Sequence, residues 1–372
     1  MVKKGRVNSI DVARRAGVSA SAVSRTFTPG ASVAKATRER VMRAARELGY
    51  RPNAIARSLI TSRSNIIGVV MASLDNQYHP QFLERLSAAL QVRGYQILLF
   101  GGPDDGHADA AVETILQYQV DGLILASATL SSEFAEKCVA AGAPVVLFNH
   151  TPHRGVCSSV TSDNVAGGER IASFLLAGGH KRFAFVAGGA NSSTNRDRER
   201  GYLRALADAG IADVRCVVGN YSFDRAREAA CELFLNPDRP DAIFVANDHM
   251  AFAVMDEARY RFGLSIPDDV SIVGYNDSRV SSWESYALTT LEQPVDVLVD
   301  ATVDVLIAQI QGRSSSRRRI QVAGNLIVRR SAKLPPHGIV QSGSRRIWMP
   351  EAASPSAKRA APDRKVRAWA QN

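Results

Sequence analysis

The sequence predicts a small all-α head, a short hinge helix and a two-lobed α/β core. Three observations carry that prediction. Between Asp11 and Gly49, apolar residues recur at helical spacing, and two of the runs end on a glycine. Beyond residue 65, short continuous apolar runs alternate with amphipathic helical stretches, the pattern of a parallel sheet wrapped by helices. That alternation runs once to Phe148 and restarts beyond Asp163-Asn164, so two α/β lobes follow each other. A chain of 372 residues, 45% hydrophobic, has room for two or three such units.

The head reads as follows. Asp11 opens a helix that keeps Val12, Ala13 and Ala16 on one side. Gly17 follows its last turn, where a left-handed residue is often needed. Ser19 stands at an N-cap position, its hydroxyl able to accept from a free N–H of the next helix. That second helix turns Ala22, Val23 and Thr26 inwards and Ala20, Ser21, Ser24 and Arg25 outwards. Thr37 to Leu48 is a third helix, with Val41, Ala44, Ala45 and Leu48 on its apolar side and Gly49 after its end. Two short helices joined by a glycine-containing turn form a helix-turn-helix, whose second helix enters the major groove of double-stranded DNA. Ser19, Ala20, Ser21, Ser24 and Arg25 are therefore the candidate reading residues. Arg25 would meet a phosphate or a guanine edge, and a bidentate arginine–guanine pair is worth ~1–3 kcal/mol of discrimination. Ala20 can at most touch a thymine methyl. The competing reading is that these side chains simply coat a solvated helix.

Residues 50–62 form the hinge. Pro52 suits the first helical position. The segment is too short to be a stable helix alone in water, but it can form against DNA and a second copy of itself.

In the core, Ile66 to Met71 is a strand buried on both faces. Phe82 to Arg93 is a helix ended by Gly94, and Tyr95 to Phe100 a strand. His107 to Tyr118, Val120 to Leu125, Ser132 to Ala141 and Pro144 to Phe148 complete the first lobe as helix, strand, helix and strand. The second lobe begins with a helix over 165–177 and a strand over 183–187. Helices over 198–209, 223–235 and 250–262 then alternate with strands over 214–219, 242–246 and 270–275. After Leu334-Pro335-Pro336 the chain is rich in Ala, Ser, Pro, Arg and Lys with little apolar periodicity, so residues 335–372 are expected to be a basic disordered tail.

Charge is unevenly spread. The net charge is +10 and the pI ≈ 9.7. Residues 1–63 carry roughly +11 and residues 331–372 roughly +6, which leaves the body near −7. A basic head on an acidic body reads as a nucleic-acid binder with a soluble sensor. No apolar run follows the N-terminus, and no stretch approaches the ~20 apolar residues of a membrane span, so a cytoplasmic location with no membrane partner is expected. Cys138, Cys157, Cys216 and Cys231 have no metal-ligand spacing and read as reduced thiols. Gly101-Gly102-Pro103 and Gly188-Gly189-Ala190 match no phosphate loop, and no paired carboxylates or Ser-His-Asp arrangement emerge. No catalytic residue, cofactor or metal is assigned.

One family carries this combination. Asp-Val-Ala-x-x-Ala-Gly-Val-Ser-x-x-x-Val-Ser-Arg at 11–25, then Thr37-Arg38-Glu39-Arg40-Val41, then Leu48 through Leu59, resembles the lac-repressor family of transcription regulators. The likeness runs on through Asn65-Ile66-Ile67-Gly68-Val69-Val70 into a core similar to periplasmic sugar-binding proteins (type I), and covers roughly residues 8–333. It implies a homodimeric repressor, bound to operator DNA and, at those times, to the nucleoid of a bacterial cell. It implies domains at 1–49, 50–62 and 63–334. It further implies three crossings between the lobes, near Asp163, Glu292 and Ala323, with Val295 to Gln311 a helix returning to the first lobe. Leu59 would be the minor-groove wedge, with Asn53, Ala54 and Arg57 beside it. The competing reading makes Leu59 an ordinary hinge leucine. The tail lacks the leucine heptads that some relatives use to tetramerise.

The effector is expected between the lobes, because ligands of open α/β sheets sit beyond the carboxyl ends of the strands. Arg198 and Asn247 match effector contacts of the family. Asn276 matches a position that is commonly aspartate. Asp75, Tyr78 and Tyr221 complete the candidate set. Asn side chains suit a polyol or a base edge, and Tyr78 can stack on a sugar ring or purine face, which favours a sugar or nucleoside-like effector. Polar groups at strand ends also cap helices, and that competing reading applies most to Asp248 and Asp277. Three other functions stay open: a core that senses a partner protein, a stand-alone solute-binding protein, and an enzyme on the same core.

Overall fold

A computed structural model describes residues 7–28, 30–51, 63–71, 74–102, 108–126, 132–152, 155–314, 316–350 and 367–369. The chain divides into two compact units, residues 1–65 and 66–372.

The first unit is built on three helices, α1 (Ser9–Ala16), α2 (Ala20–Thr26) and α3 (Lys35–Leu48). Val12, Ala13, Ala16, Val23, Val41, Ala44 and Ala45 form its core, with Phe27 against Tyr50 at its edge. Helix α1 starts two residues before the expected Asp11. Asn8 is its cap: the side-chain oxygen accepts from the N–H of Ile10 (2.9 Å) and of Asp11 (3.2 Å). Asp11 instead reaches back to the Asn8 N–H (3.0 Å), closing a capping box. Asn8→Ala should destabilise this unit by about 0.5–2 kcal/mol. A melting curve superimposable on that of the parent protein's head would count against the cap.

The second unit holds two largely parallel sheets, each with antiparallel pairing at one edge. Strands β1 (Ile66–Met71), β2 (Gln96–Gly101), β3 (Gly122–Leu125), β4 (Val145–Phe148) and β5 (Ser158–Ser162) belong to the first lobe. Its helices are α4 (Tyr78–Val92), α5 (Ala108–Gln117) and α6 (Ser132–Ala140). The second lobe alternates α7 (Asn164–Ala177), β6 (Phe183–Ala187), α8 (Ser193–Asp208), β7 (Val214–Val218) and α9 (Phe223–Leu235). It continues with β8 (Ala242–Val245), α10 (Asp248–Asp256), β9 (Ser271–Asn276) and β10 (Thr289–Glu292). Helix α11 (Val295–Ile310) then returns to the first lobe, and β11 (Arg319–Val322) pairs in parallel with β5. Strand β12 (Leu326–Ile327) goes back to β10. The chain thus changes lobes after β5, after β10 and after β11, next to Asp163, Glu292 and Ala323. With β13 (Ile339–Ser342), β14 (Arg345–Trp348) and β15 (Arg367–Trp369), the sheet orders among the described residues are β15-β11-β5-β4-β3-β1-β2 and β13-β14-β12-β10-β9-β8-β6-β7.

Two sequence expectations need correction. Strand β5 has no counterpart in the apolar pattern, because four of its five residues are Ser or Thr. It is nevertheless wholly buried. Hydroxyls that would be costly inside are met: Ser158 accepts from Gln309 (2.9 Å) and from the Arg318 N–H (3.1 Å), and Ser162 from Gln293 (3.2 Å). The second correction concerns the tail. Disorder from residue 335 onwards does not hold for β13 (Ile339–Ser342) and β14 (Arg345–Trp348), an antiparallel hairpin turning at Gly343. Strand β14 pairs with β12 and so extends the second-lobe sheet. Trp348 is buried edge-on against Phe174 (5.6 Å), and its indole N–H donates to the His337 carbonyl (3.2 Å). Arg345 reaches Glu292 (2.8 Å) and Asp277 (3.4 Å) beside the second crossing. A further short strand, β15 (Arg367–Trp369), lies antiparallel to β11.

Candidate functional site

In the head, Ser19 takes the capping role, its hydroxyl accepting from the Ala22 N–H (3.2 Å). Gly17 adopts the left-handed conformation (φ 65°), and the Val18 N–H folds back onto the Ala13 carbonyl (3.0 Å). The turn is therefore tight, and α2 is held by Val23 and Thr26. Ala20, Ser21, Ser24 and Arg25 are all exposed on its outer side. Arg25 lies along the helix, its Nε donating to the Ser21 carbonyl (3.4 Å). Arg38 of α3 donates to the Thr26 carbonyl (3.2 Å) and closes the far end of α2. These residues leave one small polar helix face supported from behind, bearing an arginine. Asn53, Ala54, Arg57 and Leu59 lie outside the described residues.

In the core, helix α8 starts at Ser193, capped by Ser192, so Arg198 sits in its second turn instead of opening it. Helices α7 and α8 approach closely through two glycines. A Cβ at Gly201 would stand 2.0 Å from the Val165 carbonyl oxygen, and one at Gly168 would stand 2.2 Å from that of Arg198. This contact brings Arg198 to Asn164. Arg198 is 2% exposed. Its Nε donates to Asn164 Oδ1 (2.9 Å) and its Nη1 to the carbonyl of Ala246, at the end of β8. The guanidinium carbon lies 3.7 Å from the centre of the Tyr275 ring, at the end of β9. Its Nη2 has no hydrogen-bond partner among the described residues.

The two following residues complete the second-lobe wall. Asn247 caps α10, its Oδ1 accepting from the Met250 N–H (2.9 Å), while its Nδ2 has no partner among the described residues. Asn276 donates to Gln293, and its Oδ1 is likewise unmet. Gln293 also donates to Asn149 of the first lobe (2.8 Å), so this amide pair bridges the lobes at the crossing. Tyr221 borders the site, its hydroxyl 3.1 Å from the Ser192 hydroxyl.

On the first-lobe wall, α4 begins at Tyr78, four residues ahead of the expected Phe82. Tyr78 is buried, and its ring packs within the first-lobe core. What it offers is its hydroxyl, unmet among the described residues. Burial pushes that hydroxyl's pKa up, with the charge of Arg198 pulling the other way, so the phenol stays protonated. Burial likewise pushes Tyr275 up to about 12 against the pull of Arg198. Asp75 is exposed on the same loop. Its charge is felt by His249 of α10, whose pKa burial lowers. The lobes also meet through Thr151, whose N–H donates to Ser193 (2.9 Å), and through an exposed Arg279–Glu84 pair (2.6 Å).

Asp248 and Asp277 follow the structural reading. Asp248 is wholly buried and accepts from Thr290 (2.6 Å), Ser281 (2.7 Å) and the Ser278 N–H (2.8 Å). Burial raises its pKa against those three bonds. Asp277 pairs with Arg329 (2.6 Å). Sequence reasoning missed Asn164 and Tyr275. An aromatic inside an apolar strand reads as core, and only its place at a strand's carboxyl end hints otherwise. Among the described residues, no cluster of His, Cys, Asp and Glu is placed to hold a metal ion, and no helix is long and apolar enough to cross a membrane.

Residues 10–53 match the family "Bacterial regulatory proteins, lacI family", and residues 172–332 match "Periplasmic binding protein-like domain". The chain is 32% identical over 328 residues to the ribose operon repressor of Escherichia coli (strain K12), covering 87% of this chain and 98% of that one. It is similar in structure to the lac repressor dimer bound to operator and the anti-inducer ONPF (TM-score 0.79, 28% identity), over 88% of this chain and 99% of the other. The cellobiose complex of the transcriptional regulator CelR aligns with a TM-score of 0.67 and 28% identity, over 88% and 100%.

Proposed function

The chain belongs to the lacI family of bacterial regulatory proteins, and we propose that a sugar or nucleoside-like molecule, bound between its lobes, sets its affinity for operator DNA. As a member it is a DNA-binding transcriptional repressor acting as a homodimer under a small-molecule effector, and not an enzyme. Such a protein works in the bacterial cytoplasm, on the nucleoid when bound. The relatives named above include a repressor of a ribose operon and a regulator complexed with cellobiose, which supports a sugar-like effector here.

We assign DNA reading to Ser19, Ala20, Ser21, Ser24 and Arg25, and by resemblance the hinge contacts to Asn53, Ala54, Arg57 and Leu59. Effector binding is assigned to Arg198, Asn247 and Asn276 on one wall, with Tyr221 at its border, and to Asp75 and the Tyr78 hydroxyl on the other. The observation that carries the cleft assignment is Arg198: a buried guanidinium stacked on an aromatic ring, with one nitrogen unmet, at the ends of two adjacent strands. A rigid fork of donors there suits ligand oxygens. The ligand acts only through its different affinity for the two arrangements of the lobes.

Arg198→Ala tests this. Charged hydrogen bonds are worth about 1.5–3 kcal/mol each, so effector affinity should fall roughly ten- to a hundredfold, while ligand-free operator binding persists. Calorimetry showing unimpaired ligand affinity would remove Arg198 from the site.

A further inference from the structure

We propose that the effector is a small sugar acid, a polyol carrying one carboxylate, and not a neutral sugar. The proposal rests on the cleft reading above and narrows it. Its basis is the state of Arg198, a cation buried in the wall of the cleft. Among the described residues it forms no ion pair; its partners are an amide oxygen, a carbonyl and a ring face. A buried charge left like this is expensive unless something pairs with it.

The surrounding carboxylates are committed elsewhere. Asp163 caps α7, Asp248 accepts three hydrogen bonds, and Asp277 pairs with Arg329 and Arg345. Position 276, one residue past the ring under the guanidinium, is an amide. None of these carboxylates pairs with Arg198, and a ligand with one negative charge would give the guanidinium the counter-ion it lacks among the described residues.

The unmet atoms give the rest of the ligand. Arg198 Nη2 and Asn247 Nδ2 are donors only, and the orientation of Asn247 is fixed because its oxygen takes the Met250 N–H. Ala246, whose carbonyl Arg198 grips, adjoins Asn247, so the two donor nitrogens flank the end of β8. A planar carboxylate offers two oxygens to such a pair. Asn276 Oδ1 is an acceptor only and calls for a hydroxyl from the ligand. Tyr78 supplies a protonated phenol opposite. A phosphate ester would bring a second negative charge. The histidine beside the rim is held toward its neutral form by burial and does not balance it.

The test is a thermal-shift series on the full chain, followed by calorimetry. The probes are D-gluconate, D-glucuronate and D-galacturonate, against D-glucose, D-galactose, D-ribose, adenosine and glucose 6-phosphate. At least one acid should raise the melting temperature and bind at least tenfold more tightly than its neutral parent. Asn276→Asp, which adds a carboxylate one residue past the ring under the guanidinium and preserves side-chain shape, should weaken that acid at least tenfold and narrow its advantage. Binding of a neutral sugar or nucleoside without preference for an acid would overturn this proposal and leave the cleft reading standing. Binding of the phosphate alone would overturn it in favour of a dianion. No binding by any probe would count against both. An acid that binds equally well to the Asn276→Asp variant would also overturn it.

Discussion

A chain lacking residues 1–65 keeps its two-lobed core and loses specific operator binding altogether. Those residues are a separate compact unit with their own apolar core, so removing them leaves no cut surface within either sheet. They also carry a net charge of roughly +11, against about −1 for the rest of the chain. Phosphate neutralisation supplies most nonspecific affinity and makes it fall steeply with salt, by about 0.9 log units per log unit of salt for each phosphate contacted. The specific part rests on a few side chains of α2, and specific binding typically exceeds nonspecific by about 10³ or more. The full chain should therefore show a steep salt slope and strong preference for its operator, and the truncated chain neither. Gel shifts in which the truncated core still selects operator would refute the assignment.

The second large effect is on stability. Trp348→Ala should destabilise the second lobe by about 3–5 kcal/mol, the usual cost of emptying a buried tryptophan site. Trp348 is the apolar anchor of the C-terminal hairpin. It covers Phe174, holds the His337 carbonyl, and sits on the strand that pairs with β12. With it loosened, Arg345 should also lose its grip on Glu292 and Asp277. Chemical denaturation would measure the change. A shift under about 1 kcal/mol would mean that the hairpin is only draped on the lobe.

The head and most of the core were legible in the sequence because local chemistry and tertiary demand coincide there. Gly17 and Gly49 are both left-handed at the helix ends they were expected to close, and Ser19 caps the helix it precedes. The apolar runs became strands because a two-faced sheet buries both sides of each strand. Where the reading failed, another interaction had replaced apolar patterning. Strand β5 is buried by hydroxyl hydrogen bonds, which no hydrophobic period reveals. The hairpin has only a few apolar residues, since one of its faces is exposed. Its signal was the Ser342-Gly343-Ser344 turn between Ile339-Val340 and Ile347-Trp348. Helices α4, α8 and α10 begin earlier than expected because Asn76, Ser192 and Asn247 accept from their first N–H groups, which apolar spacing does not reveal. In the cleft, Arg198, Asn247 and Asn276 were legible as polar residues near strand ends. Asn164 was not, because its role comes from helix–helix approach through Gly168 and Gly201, and Tyr275 was not, because an aromatic inside an apolar strand reads as core.

The most direct test of the whole account is a linkage measurement on the full-length protein. Operator affinity is measured by fluorescence anisotropy with and without saturating effector, and effector affinity by calorimetry with and without saturating operator. If the cleft governs the head, the two ratios must be equal, and couplings of this kind are typically about 5–150-fold. Equal ratios in that range, collapsing to one in Arg198→Ala, are the predicted result. Operator affinity that stays constant under saturating ligand would contradict it.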